Sequence, residues 1–149
     1  YNIGKDFGNN SDSKEFSEHI KWMKQITDEC MRVLKPSGTL YCYGFSEILA
    51  HISVNISYQQ RWLIWHYTNK NTPTATFWQR SHESIIMAWK DKSQRIFNLD
   101  EVREPYTESF LKNAAGKVRK ATPGRFSKTD QETVYKANDN GAMPRDVLK

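Results

Sequence analysis

The sequence predicts an α/β fold, and three observations carry that prediction. Apolar residues recur at steps of three and four between residues 14 and 34, which is typical of an amphipathic helix. Short apolar and aromatic runs follow at residues 39–43, 61–67 and 84–90, and a second helical stretch separates the first two runs. The order helix, strand, helix, strand, strand indicates part of an α/β sheet, which binds ligands beyond the carboxyl ends of its strands.

The first helix has recognisable start and stop signals. Asp12 or Ser13 can cap its amino end, and Asp12 with Glu15 has the spacing of a capping box. Pro36 and Gly38 end it, because proline cannot continue the hydrogen-bond ladder and glycine permits a positive φ.

The second helix is predicted over residues 47–56, with Ser46 as its cap. Residues 68–80 form a polar connection between the second and third strands. This connection is too long for a tight hairpin, and long loops within a domain are usually functional. We therefore expect residues 68–80 to contribute to a site.

The last third of the chain is less regular and more basic. Residues 97–106 are consistent with one irregular strand or turn, and residues 108–112 with a short helix. The net charge is +5, and residues 112–149 hold the whole excess, with nine Lys and Arg against four Asp and Glu. Local basicity favours a phosphate-rich partner, although such a stretch can also be only a solvated surface.

Several classes of site are excluded by the residues present. Cys30 and Cys42 fall at predicted core positions, which indicates reduced thiols rather than a disulfide framework or a zinc site. The four histidines show no ligand spacing, and the pair His82-Glu83 indicates a structural hydrogen bond rather than a metal centre. No glycine pattern matches a dinucleotide or Walker motif, and no run of 18 apolar residues predicts a membrane span.

The opening of the chain suggests the mouth of a binding site. Tyr1 is followed by Asn2 and by a loop that contains two glycines and the further amides Asn9 and Asn10. An aromatic ring beside such a loop suits a flat polar ligand. Because a chain rarely begins with Tyr, we interpret the sequence as one that is already under way.

These features together resemble a known family. Tyr1-Asn2 with its Gly/Asn loop resembles the end of the Asp-Pro-Pro-Tyr-Asn motif of the DNA amino-methyltransferases, and the motif order resembles their beta subgroup. Further segments that resemble the family, in its order, are residues 34–40, 65–71, 73–90, 97–106 and 141–147. The resemblance covers nearly the whole chain and implies an internal piece of a longer enzyme, which begins at the Tyr of the catalytic motif.

The resemblance implies a fold and an activity. Residues 1–98 are expected to form part of a Rossmann-like methyltransferase sheet, and residues 99–149 an irregular basic target-recognition region, incomplete at its C-terminal end. The implied enzyme transfers a methyl group from S-adenosylmethionine to the exocyclic amino group of a flipped adenine, with cytosine as the less favoured base. The fragment alone is expected to be inactive, and no residue is assigned to the cofactor or to a metal.

The implied partners are double-stranded DNA and, as a candidate, a cognate restriction endonuclease. No membrane association is expected, and the implied location is the cytoplasm of a bacterium or archaeon, or a phage-infected cell. The rival interpretation is a non-catalytic nucleic-acid-binding module that uses the basic region on an α/β platform.

The resemblance also assigns roles to residues. Tyr1 and Asn2 are the expected catalytic residues, with the Tyr1 ring as a stacking platform, and Phe77 and Trp78 are expected to wall the base pocket. The residues expected to contact DNA are Asn9, Asn10, Arg80, His82, Lys117, Arg119, Lys120 and Arg125. Each role has an alternative: a ring packed in the core, a structural ion pair or hydrogen bond, or a solvated charge.

Overall fold

The computed structural model describes residues 2–5, 8, 12–69, 75–120 and 132–149. In chain order the elements are α1 (Phe16–Val33), β1 (Thr39–Gly44), α2 (Ser46–Ser53), β2 (Gln59–His66), β3 (His82–Trp89), a 3-10 helix (Leu99–Val102), α3 (Glu108–Asn113), β4 (Val118–Lys120), β5 (Glu132–Val134) and β6 (Val147–Leu148). The mixed α/β class and the elements predicted before residue 90 are confirmed.

The chain divides into two compact units, one of residues 1–96 with 146–149 and one of residues 97–145. The first unit contains α1, α2 and a four-stranded sheet in the order β1-β3-β2-β6. Strand β3 is antiparallel to both β1 and β2, so β1 and β2 run in the same direction and end at the same edge of the sheet. Strand β6 lies parallel to β2 and pairs Val147 with Ile64. The range 99–149, predicted as one recognition region, therefore includes a strand of the first sheet.

The core of the first unit lies between the two helices and one face of this sheet. Its buried residues are Met31 of α1, Leu49 and Ile52 of α2, Ile56, and Ile86 and Ala88 of β3. Ile86 and Ala88 are two apart on β3, and alternate residues of a strand share a face of the sheet. The apolar periodicity of the sequence thus corresponds to a single packed layer.

The caps of α1 differ from the prediction. Glu15 occupies the cap position, and its carboxylate accepts a hydrogen bond from the backbone N–H of Glu18 at 3.2 Å. The carboxylate of Asp12 is engaged by the backbone of the opening loop, so it does not cap the helix. At the other end, Lys90 donates to the carbonyl of Leu34 at 2.6 Å, which supplies a cation where the helix dipole favours one.

The predicted cap of α2 is also wrong. Phe45 occupies the cap position and makes no side-chain hydrogen bond there. The hydroxyl of Ser46 instead lies 2.7 Å from the hydroxyl of Ser84, which is buried in β3. A buried hydroxyl without a partner costs roughly 1–3 kcal/mol, so Ser84 competes successfully with the helix end for Ser46.

The second unit is closed by contacts between its beginning and its end. Glu104 and Ala142 exchange two backbone hydrogen bonds, of 2.7 and 3.1 Å. The guanidinium of Arg103 donates to the carbonyl of Gly141 at 3.0 Å, and the side chain of Arg145 donates to the Glu104 carboxylate at 2.8 Å. These bonds join segments that are about forty residues apart in the sequence.

A stacked aromatic pair lies in the described part of the second unit. The ring of Tyr106 stacks on Phe110 of α3 with centroids 4.7 Å apart, and its hydroxyl accepts a hydrogen bond from the backbone of Asn138 at 2.9 Å. Thr107 caps α3 through the N–H of Phe110. Strands β4 and β5 form an antiparallel pair that the sequence did not predict. Where a strand or turn was expected over residues 97–106, the structure has a 3-10 helix.

Candidate functional site

The carboxyl ends of β1 and β2 bring several polar side chains to one edge of the first sheet. Phe45 and Glu47 follow β1, Tyr67 to Asn69 follow β2, and Arg80 precedes β3, which enters at this edge. The sheet edge at which parallel strands end is where α/β folds bind ligands. This edge is therefore the candidate site of the first unit.

Arg80 is held at this edge by two neighbours. Its guanidinium donates to the Glu47 carboxylate at 2.9 Å and lies over the ring of Phe45, 4.3 Å from the centroid. The Glu47 carboxylate accepts a hydrogen bond from its own backbone N–H in the first turn of α2, and with Arg80 beside it the pKa of Glu47 is lowered. The Arg80 side chain keeps 34% of its surface exposed, so it is fixed in place with part of its surface open to solvent. Its predicted contact with DNA stays a prediction.

The opening loop is fixed by hydrogen bonds to Asn2 and Asp12. The side-chain amide of Asn2 donates to the carbonyl of Lys14 at 2.9 Å, and its oxygen accepts from the N–H of Lys14 at 2.7 Å. Asn2 has a positive φ of 56°, a conformation that asparagine tolerates better than most residues. Its side chain thus ties the start of the loop to the residues before α1.

Asp12 completes this arrangement. Its carboxylate accepts backbone hydrogen bonds from Asn2 at 2.8 Å, Ile3 at 3.1 Å and Lys5 at 3.3 Å, and its carbonyl accepts from Gly4 at 2.7 Å. Desolvation raises the pKa of Asp12, but the three hydrogen bonds to its charged form outweigh it, so the pKa is lowered. This role of Asp12 could not be predicted, because the same residue has the spacing of a helix cap.

A cleft of about 690 Å³ opens where β2 ends. Its lining residues are Trp65, His66, Tyr67, Thr68, Asn69, Glu83 and Lys149. Trp65 lies opposite Glu83 in the β2–β3 pairing, and its ring centroid is 5.7 Å from that of Tyr67 and 5.8 Å from that of Tyr43. Two rings of this aromatic row, Trp65 and Tyr67, therefore line the cleft.

Glu83 is the unusual residue of this cleft. Its Oε2 atom is buried and has no hydrogen-bond partner in the structure. The structural hydrogen bond expected for the His82-Glu83 pair is therefore absent at this oxygen. A buried carboxylate oxygen is costly to leave unpaired, and this one is closed off from the solvent of the cleft.

The aromatic residues predicted for a base pocket lie elsewhere. Phe77 is 81% exposed and Trp78 is 97% exposed, and neither lines the cleft beside Glu83. His82 is half-buried and lies opposite His66 in the sheet. The roles of these residues stay predictions, and the structure leaves both large rings open to a ligand.

Three of the residues expected to contact DNA, Lys117, Arg119 and Lys120, are described in the second unit. Lys117 is exposed, and its ammonium donates to the carbonyl of Lys112 at 3.3 Å. The backbones of Arg119 and Lys120 lie in β4. Tyr1, Asn9, Asn10 and Arg125, also predicted as site residues, lie outside the described residues.

Two further findings concern metal ligands and membrane-spanning helices. Within the described ranges, no group of three or more His, Cys, Asp or Glu side chains is placed to hold a metal ion. No helix in the same ranges is both long enough and apolar enough to cross a membrane.

Comparison with known proteins gives a consistent result. A family model described as DNA methylase, of the N6/N4 class, matches residues 1–147. The type II methyltransferase M.HpaI of Haemophilus parainfluenzae is 33% identical over 110 residues, which is 70% of this chain and 35% of that protein. The DNA adenine methyltransferase YhdJ of Escherichia coli (strain K12) is 27% identical over 106 residues, which is 68% of this chain and 36% of that protein.

A third relative, the type II methyltransferase M.BglII of Bacillus subtilis, is 29% identical over 129 residues. That match covers 78% of this chain and 34% of the relative. The chain thus spans about a third of the length of the curated relatives it matches.

Proposed function

The chain belongs to the DNA methylase family, and from this premise we propose that it is part of a site-specific DNA methyltransferase. The methyl donor is S-adenosylmethionine, and the acceptor is the exocyclic amino group of a base turned out of the duplex. What carries the proposal is the family match over residues 1–147, which extends through both units of the structure.

We assign residues 1–98 to a Rossmann-like catalytic domain and residues 99–149 to target recognition. The first assignment is supported by β1 and β2, which run in the same direction and are connected through α2. The second is supported by the excess of Lys and Arg over Asp and Glu in residues 112–149. Strand β6 is the exception, because it belongs to the first sheet.

The role of the opening loop is to present an aromatic platform. Turning a base out of the stack costs a few kcal/mol, and stacking on an aromatic ring returns roughly 1–3 kcal/mol. We assign that ring to Tyr1. Asn2 and Asp12 support the assignment, because their hydrogen bonds to Lys14 and to the loop backbone fix the chain directly after Tyr1.

Adenine is the proposed target base. The Tyr-Asn pair at residues 1–2 supports this choice, and so does the name of the Escherichia coli relative, a DNA adenine methyltransferase. The other two relatives, M.HpaI and M.BglII, are named type II methyltransferases, which supports a cognate restriction endonuclease as partner and the cytoplasm as location.

The described residues do not fit the site for the methyl donor. Adenosyl groups are commonly bound by a glycine-rich turn between a strand and a helix. Here β1 leads into α2 through Phe45, and β2 continues into Tyr67, Thr68 and Asn69. We therefore assign no residue of this chain to the donor and no step that passes through it.

DNA contact is assigned to residues of both units. In the second unit these are Lys117, Arg119, Lys120 and Arg125, and in the first Arg80, His82, Asn9 and Asn10. Arg80 is supported by its position at the carboxyl edge of the sheet. Phe77 and Trp78 are supported as stacking residues by their exposure, since large exposed aromatic rings commonly mark binding surfaces.

The direct test is methyl transfer. Residues 1–147 would replace the corresponding segment of M.HpaI, and the purified chimera would receive tritiated S-adenosylmethionine and unmethylated DNA. We expect label in DNA, largely lost in Tyr1→Ala because the flipped base loses its stacking partner. Tyr58→Ala, which removes a half-exposed ring in the turn before β2, is the matched control and should label DNA as the parent chimera does.

The outcome also separates the two candidate functions. Label that persists unchanged in Tyr1→Ala would remove Tyr1 from the mechanism. A chimera that is folded by circular dichroism and binds DNA, yet transfers no methyl group, would favour the binding module.

The role of the basic residues has its own test. Neutralising Arg119, Lys120 and Arg125 together should weaken binding of the chain to a labelled duplex. It should also reduce the slope of log K against log salt by up to about 2.7, at roughly 0.9 per phosphate contact. The control neutralises Lys21, Lys24 and Arg32 of α1. An unchanged slope in the variant that lacks the charges of Arg119, Lys120 and Arg125 would mean that these residues do not contact phosphate.

A further inference from the structure

A small pocket lies between α1, β1 and α2. Its volume is about 130 Å³, and the residues that line it include His19 and Met23 of α1, Cys42 of β1, and Leu49 and Ile52 of α2. Among its described lining residues there is no Lys, Arg, Asp or Glu. The pocket therefore offers no oppositely charged partner to a carboxylate or a phosphate, and its occupant must be of another kind.

His19 is the polar group of this pocket. It is only 5% exposed, and within the described ranges its side chain has no hydrogen-bond partner. Burial lowers the pKa of His19, so at neutral pH the ring is neutral and one nitrogen keeps its lone pair. A buried polar group is costly to leave without a partner. The pocket is thus suited to an occupant that engages an imidazole nitrogen.

Two sulfur atoms belong to the same pocket. Met23 follows His19 by one helical turn, and residues at this spacing share a face of the helix. Met23 and Cys42 also pack together against the core of the first unit. An imidazole, a thioether and a thiol therefore line one enclosed space. Thiolate and thioether ligands favour copper(I), which imidazole also binds, whereas zinc takes four ligands from Cys, His and carboxylates.

The rival occupant is a small apolar molecule. The pocket is close in volume to an engineered cavity of about 150 Å³ that binds benzene. An apolar molecule would leave the His19 nitrogen unpaired, whereas a soft cation accepts its lone pair and those of both sulfur atoms. The donor set therefore favours the cation.

We propose that His19, Met23 and Cys42 form a binding site for a soft monovalent cation of the copper(I) class. When the ion binds, a bond between it and the Cys42 sulfur forms, the S–H bond breaks, and the proton passes to solvent. The ion keeps its oxidation state, so no oxidant or reductant is needed. This inference goes beyond the proposed function and does not depend on it, because it involves neither DNA nor methyl transfer.

The site can be located by NMR on the 149-residue chain. The chain, labelled with ¹³C at its four methionine methyl groups, would be titrated with silver(I), a redox-inert ion of the same charge and similar softness. We expect one equivalent of silver to saturate the change and to shift the Met23 signal more than the other three. Copper(I), added without oxygen, should shift the same signal and compete with silver for the site.

Substitutions test each ligand. Cys42→Ser should abolish the Met23 shift, whereas Cys30→Ser is the matched control, because Cys30 is also a half-buried thiol but does not line the pocket.

Met23→Leu and His19→Phe keep an apolar side chain or a flat ring and remove one donor each. Each should weaken copper(I) binding about tenfold or more in competition with bicinchoninate, since losing even an outer-shell partner costs about 10–100-fold. Circular dichroism would verify that each variant is folded, and Met23→Leu, which changes the core volume least, keeps the test valid if another variant unfolds.

Several outcomes would overturn the inference. If silver leaves the Met23 signal in place, or if Met23→Leu and His19→Phe both bind copper(I) as tightly as the unaltered chain, the metal is held by a thiol alone. An equal loss of binding in Cys30→Ser and Cys42→Ser would assign it to the two thiols instead. A Met23 shift with benzene but not with silver would show that the pocket is an apolar cavity.

Discussion

Of the two glycines described in the second unit, Gly141 is the one at which an added methyl group should disturb the structure more. Its φ is +106°, and a Cβ placed on it would lie 2.6 Å from the carbonyl oxygen of Glu104. That oxygen accepts the 2.7 Å hydrogen bond from Ala142, and the N–H of Glu104 donates to the Ala142 carbonyl. Alanine at this position must therefore push apart the two segments that close the unit.

The expected cost of Gly141→Ala follows from these contacts. A left-handed backbone conformation costs a residue with a Cβ about 1–2 kcal/mol. Each of the two backbone hydrogen bonds contributes roughly 0.5–1.5 kcal/mol. Together they predict a destabilisation of about 2–5 kcal/mol. Because every 1.4 kcal/mol is about a factor of ten, exchange of the Ala142 amide should accelerate at least about thirtyfold.

Hydrogen exchange is the suitable assay, because all five tryptophans lie outside the second unit and their fluorescence would not report on it. Gly116→Ala is the matched control. Gly116 also has a positive φ, +74°, but a Cβ there meets nothing within 4 Å, so only the conformational cost of about 1–2 kcal/mol applies. Equal effects of the two substitutions, or no acceleration in Gly141→Ala, would refute the steric argument.

Three further predictions concern the first unit. Asp12→Asn should accelerate hydrogen exchange of the Ile3 amide, because the charged carboxylate accepts a hydrogen bond from that N–H. In the unaltered chain, the Ile3 amide should be protected from exchange at neutral pH. Its protection should be lost only under acid, as pH falls through the lowered pKa of Asp12. Ile86→Ala should destabilise the unit by about 2–5 kcal/mol in urea unfolding followed by tryptophan fluorescence, because the side chain is fully buried. Cys42 should be alkylated more slowly in the native chain than in urea, because burial raises the pKa of its thiol.

Each of these has a result that would contradict it. Unchanged exchange of the Ile3 amide in Asp12→Asn would mean that the loop does not depend on the carboxylate. The control is Asp28→Asn on α1, which should leave exchange of the Ile3 amide unchanged. The control for the core is Val54→Ala, which trims an 83% exposed side chain and should cost under about 0.5 kcal/mol. Equal alkylation rates with and without urea would contradict the third prediction.

Much of the first unit could be predicted from local patterns. The apolar spacing of α1 and the short apolar runs of β1, β2 and β3 are properties of consecutive residues, so the sequence displays them directly. The caps were harder, because Asp12, Glu15 and Ser46 all have side chains that can accept a backbone hydrogen bond. Which one caps depends on partners elsewhere, such as Ser84, which is 38 residues from Ser46.

The candidate site could not be predicted either, because it also depends on contacts between residues that are far apart in the sequence. Glu83 lies in the cleft with Trp65 because the two are opposite each other in the sheet, and a strand register does not appear in a single sequence. Phe77 and Trp78 drew attention because aromatic residues in a long polar loop are conspicuous. The apolar periodicity predicted only the α/β class, and the prediction of a DNA methyltransferase came from the family resemblance. A resemblance depends on the order of motifs along the chain, which a single sequence displays.

The path of the chain around the second unit has a consequence for how such proteins diversify. Ile96 is anchored by the carbonyl of Ser37, and Asp146 by the N–H of Ile64, so residues 97–145 leave the first unit and return to it at two fixed points. A segment with this attachment can be exchanged as a cassette, because its replacement leaves the strands on either side in register. On the proposed division of roles, we expect new target preferences to arise by substitution of that cassette while the first unit stays the same.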